Sequence, residues 1–100
     1  MTKPPDKRVK LLGMIHEARR CLSVEIAKAN RGEDALDGLQ QLLFIDGKLE
    51  ELARILGAGN WREHPRSKPG MAHLVVDTWP LKDPLGNLIT EIEYAYARLK

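Results

Sequence analysis

The chain has 100 residues, of which 43% are hydrophobic and 30% charged, and its formal net charge is +2. That length suits a single domain spanning 1–100 and leaves no room for two. The composition excludes both a disordered chain and a polycationic tail. The longest uninterrupted apolar run is Leu42 to Ile45, far below the roughly 18 residues of a membrane helix. The N-terminus is charged and has no secretory apolar core, so a cytoplasmic protein without membrane association is expected. A lone cysteine, Cys21, forbids an internal disulfide and fits a reducing compartment.

Residues 1–5 contain Pro4 and Pro5 and read as a flexible lead-in, with Asp6 placed to cap the helix that follows. The first helix is expected over 6–30. Its buried stripe is Leu11, Ile15, Ala18, Leu22, Ile26 and Ala29, flanked by Met14 and Cys21, with Asn30 and Gly32 supplying the stop.

The strongest element is the second helix, expected over 34–57, and the fold is expected to be organised around it. At roughly 100° per residue, Leu42, Ile45, Leu49, Leu52 and Leu56 form one narrow face. Each is worth roughly 1.5–3 kcal/mol on burial, which outweighs any local propensity against a helix. Leu36, Leu39 and Leu43 lie on a second side, and Phe44 and Ile55 on a third with Gly47 between them. Glycine inside a helix costs about 1 kcal/mol relative to alanine unless the missing side chain is used, as it would be by a closely approaching backbone. The link between the first two helices is so short that they must form a long antiparallel hairpin.

The glycines of Gly57 to Asn60 stop the second helix by permitting positive φ, and 57–70 is a Gly/Pro/basic loop. Residues 71–78 read as a short helix, although Val75, Val76 and Thr78 would also suit a strand. Asp83 and Pro84 read as a cap and first helical position for a final helix over 84–99. Leu85, Leu88, Ile89, Ile92, Ala95, Tyr96 and Leu99 make its stripe, leaving Glu91, Glu93 and Tyr94 to point away. The expected class is all-α.

No pair among His16, Cys21, His64 and His73 has the i, i+4 or CxxC spacing that presents two metal ligands together, so neither metal nor other cofactor is expected. The catalytic motifs GxSxG and HExxH are absent, as is a phosphate-cradling glycine loop after a strand, and the expectation is not an enzyme. Charge is unevenly spread. Residues 1–31 carry eight basic and three acidic side chains, a net of +5, whereas 32–56 carry two and six, a net of −4. An acidic second helix would be repelled by phosphate in a helix-turn-helix reader, while opposite signs on antiparallel helices attract and fix their register. The stretch KLLGMIHEARRCL, Lys10 to Leu22, resembles the opening of small regulatory proteins of Mu-like phages. The likeness is confined to common helix formers over about an eighth of the chain, and it implies no residue role.

These observations lead to a small helical regulatory, inhibitor or adaptor protein that acts by protein–protein binding, as a homodimer. Its expected contact residues are Phe44, Gly47 and Ile55 on the second helix, Trp61, Arg62, His64 and Arg66 in the loop, and Trp79. The alternative is a nucleic-acid-associated regulator using Arg19, Arg20, Arg66 and Lys68.

Overall fold

The structure, a computed structural model, describes residues 7–33, 38–58, 79 and 83–98. These residues are all-helical, forming α1 (Lys7–Asn30), α2 (Leu39–Gly57) and α3 (Pro84–Arg98), with no strand among them. The lead-in, the short helix expected over 71–78, residue Leu99 and most of the basic loop lie outside the described residues.

In α1 the stripe at helical spacing is the buried one: Leu11, Ile15, Ala18 and Leu22 are enclosed. Met14, Cys21, Ile26 and Ala29 pack partly against the same core. The helix stops through a Schellman motif. Gly32 adopts φ +75°, its N–H donates to Ala29 O, and Glu33 N–H donates back to Lys28 O at 2.9 Å. These bonds satisfy carbonyls that the helix end leaves open, and only glycine takes the left-handed step without strain.

All five residues of the α2 seam, Leu42, Ile45, Leu49, Leu52 and Leu56, are buried. α2 stops at Gly57 as expected, while Gly59 lies outside the described residues. Gly57 has no positive φ; the chain leaves the helix through Ala58 in an extended conformation, whose N–H still reaches Arg54 O and Ile55 O. Arg8 of α1 supplies part of the cap by donating from Nη1 to Leu56 O at 3.2 Å. A cation at that position meets the negative end of the helix dipole as well as an open carbonyl.

In α3 the start is as the sequence implies. Asp83 Oδ1 accepts from Gly86 N–H at 3.0 Å and Asp83 O from Asn87 N–H at 3.0 Å, with Pro84 at the first helical position. Asp83→Ala is expected to lower stability by about 1 kcal/mol, read as a shift in the urea midpoint, because one open N–H then loses its acceptor.

Leu85, Ile89, Ile92 and Tyr96 are buried in α3, and Leu88 and Ala95 are partly so. Glu93 is a correction: expected to point outward, it is only 4% exposed. It stands four residues after Ile89 and three before Tyr96, which places it on the same helical face.

Arg8 pairs with the end of α2 at Leu56, and Arg19 pairs with Asp46 earlier in α2. The two helices therefore run antiparallel, as the short link requires. The first turns of α1 also lie beside the end of α3. Among the described helices, α1 packs against both others and is thus the one that both share. Its apolar face is wider than the primary stripe, because Leu12, Met14, Cys21 and Ile26 extend it to either side.

Candidate functional site

The outward side of α2 carries two exposed large apolar side chains next to each other in sequence. Leu43 is 50% exposed and Phe44 47%, and the two are adjacent on the helix. Seen down the axis, they lie on either side of the direction opposite the buried seam, so no element that covers the seam can also cover them. Gly47 stands one turn further on, four residues from Leu43 and three from Phe44. A Cβ built there would meet nothing within 4 Å among the described residues, so the glycine serves no close approach inside this part of the chain. Lys48 Nζ lies 5.6 Å from the centroid of the Phe44 ring, covering part of one ring face while leaving the edge open.

Ile55, placed with Phe44 in the sequence reading, is only partly on this surface, since it packs against the core cluster. Trp79 is 4% exposed and belongs to that cluster. Its indole therefore presents little to a partner in the conformation seen. Trp61, Arg62, His64, Arg66 and Lys68 lie outside the described residues. The helical projection groups Leu43 with Leu36 and Leu39 and so does not single out its exposure. Its position beside Phe44 and one turn before an unfilled glycine was the signal available.

The charges of α1 are largely answered within the chain. Arg19 Nε donates to Asp46 Oδ1 at 2.9 Å and Nη2 to Oδ2 at 3.3 Å, a two-pronged contact, and Glu50 lies 3.8 Å away. The hydrogen bond to Asp46 holds the guanidinium above the usual arginine range, against a smaller opposing effect of burial. This is the complementary pairing between oppositely charged helices that the sequence implied. With Arg19 36% and Asp46 25% exposed at the side chain, its worth is about 0.5–1 kcal/mol, more useful for register than for stability.

Arg20 Nη2 lies 2.6 Å from Glu17 Oε1, one turn back on the same helix. Of the three arginines in the nucleic-acid reading, Arg19 and Arg20 thus already hold carboxylates. Hydrogen bonding to Arg20, and then its charge, pull the Glu17 carboxyl below the usual glutamate range. A depressed folded-state value means that the contribution is present above the unfolded value and is lost as pH falls through the folded one. NMR titration is expected to show Glu17 titrating below an unperturbed glutamate and returning to it in Arg20→Gln.

Cys21 is half-buried, with Sγ 3.9 Å from Glu17 Oε1. Among the described residues no group of three or more His, Cys, Asp and Glu side chains is arranged to hold a metal ion. No described helix is long and apolar enough to cross a membrane. No protein-family model, curated protein or solved structure matches the chain.

Proposed function

We propose that this chain is a non-enzymatic helical regulatory, inhibitor or adaptor protein that works by binding protein, and that it does so as a homodimer. The observation that carries the reading is the adjacent pair Leu43 and Phe44, each about half exposed on the outward side of α2, with open space over Gly47 one turn on. Single exposed apolar residues are ordinary, but two contiguous large ones beside a bare helix backbone make a surface on which another helix can lie closely. An aromatic and a leucine at the middle of such a contact supply its apolar anchors, and Lys48, Glu50, Glu51 and Arg54 provide a polar surround.

Light scattering on a size-exclusion column across micromolar concentrations tests the homodimer directly. A mass of two chains that falls on dilution supports it. A single chain at every concentration removes the homodimer and leaves the surface for a different protein, to be sought by crosslinking from Lys48 in the native host.

A further inference from the structure

Between the first turns of α1 and the end of α3 lies a half-open groove of about 480 Å3. Among the described residues its apolar lining is Leu11, Met14 and Ala95, with Lys7, Lys10 and Arg98 set against one carboxylate, Glu91. We propose that this groove binds a small amphiphilic carboxylate, an anionic head held by Lys7 and Lys10 on a short apolar body that lies over Met14 and Ala95.

The charge pattern points to an anion. Elsewhere on α1, Arg19, Arg20 and Lys28 each face a carboxylate of this chain, and Arg31 faces Glu33. Lys7 and Lys10 make no ion pair among the described residues, and no acidic residue lies in the first turn of α1. Cations at that position oppose the positive end of their own helix, at a cost of about 0.3–1 kcal/mol each. Arg8 recovers this by reaching Leu56 O. Nothing comparable is seen for Lys7 and Lys10, and a bound anion would reverse the sign of their contribution.

Size and shape choose the class of ligand. The volume falls in the range of roughly 300–1,000 Å3 typical of small-molecule sites. A docked helix would need apolar anchors at about i, i+4 and i+7 along a longer trough. Leu11 is already 2% exposed, so among the described residues it is Met14 and Ala95 that offer uncovered apolar wall. That suits a body of a few carbons. Glu91 on the opposite rim disfavours a second anionic group.

The full-length protein is titrated at low salt with octanoate, followed by backbone amide NMR, with octanol, acetate and an acidic peptide as comparators. The expected result is saturable binding of octanoate, with shifts concentrated in 7–14 and 91–98. Lys7→Gln with Lys10→Gln, both exposed sites, should weaken it about 10-fold with helix content unchanged by circular dichroism. Glu91→Gln should tighten it.

Equal binding of octanol would show an apolar crevice without anion recognition, and equal binding of acetate an adventitious ion only. Preference for the acidic peptide would make the groove a protein-docking surface. Any of these overturns the proposal, as does a well-folded double variant that binds octanoate like the parent, or an absence of shifts at the groove.

Discussion

Ile15→Ala is expected to lower the unfolding free energy by about 2–5 kcal/mol, a large fraction of the roughly 5–15 kcal/mol that holds a domain of this kind together. Ile15 is 0% exposed and sits midway along the buried stripe of α1, the helix that packs against both α2 and α3. Truncation there removes apolar contact and leaves a cavity that neither neighbouring helix can fill without losing its own packing. Urea unfolding monitored at the helix band measures the change. Val24→Ala is the matched control: Val24 is on the same helix but 52% exposed, so its loss should stay within about 0.5 kcal/mol. A loss for Ile15→Ala no larger than that of Val24→Ala would mean that α1 is not packed between α2 and α3 in this way.

That shared position is what periodicity alone did not reveal. Spacing identifies which face of a helix is buried, and it did so for Leu11, Ile15, Ala18 and Leu22 in α1, for the five seam residues of α2, and for Ile89, Ile92 and Tyr96 in α3. It says nothing about how many neighbours share that face. α2 has the denser row of leucines, yet α1 lies between the other two because its flanking residues widen the face to more than one partner's breadth. Helix ends were legible where one residue type decides the geometry, as at Asp83 and Gly32.

They were less legible where a distant side chain decides. Nothing local to Leu56 indicates that Arg8, 48 residues earlier in the chain, would donate to its carbonyl. Glu93 shows a different limit: residue type suggested solvent, but its place between Ile89 and Tyr96 overruled residue type. On the outward side of α2, periodicity singles out Phe44 and Gly47 but not the equally exposed Leu43. A leucine on a helix with leucines on several sides is assigned to solvent or core only by the packing of the rest.

Replacing Leu43 and Phe44 together by aspartate is expected to weaken self-association at least about 100-fold while leaving the monomer's stability nearly unchanged. Covering an apolar side chain of this size is worth roughly 1.5–3 kcal/mol, and each 1.4 kcal/mol is tenfold in affinity, so two such residues at the middle of a contact account for a factor of that order. Two like charges on each copy, brought together by a twofold contact, add repulsion in the same direction. Because both residues are about half exposed and away from the buried seam, the monomer loses little. Unfolding and light scattering on the same samples separate the two effects. A double variant that associates like the parent would place the contact elsewhere.

Gly47→Ala then tells how closely the partner approaches. Among the described residues its Cβ meets nothing within 4 Å, so the substitution should stabilise the helix by about 1 kcal/mol. If the partner's backbone lies over this position, the same methyl group must push it away, and association should weaken although the monomer has become more stable. Opposite signs from one methyl group locate the crossing point at Gly47. A gain in stability with association unchanged moves that point toward the Leu43 end of α2, because only side chains then bridge the two surfaces.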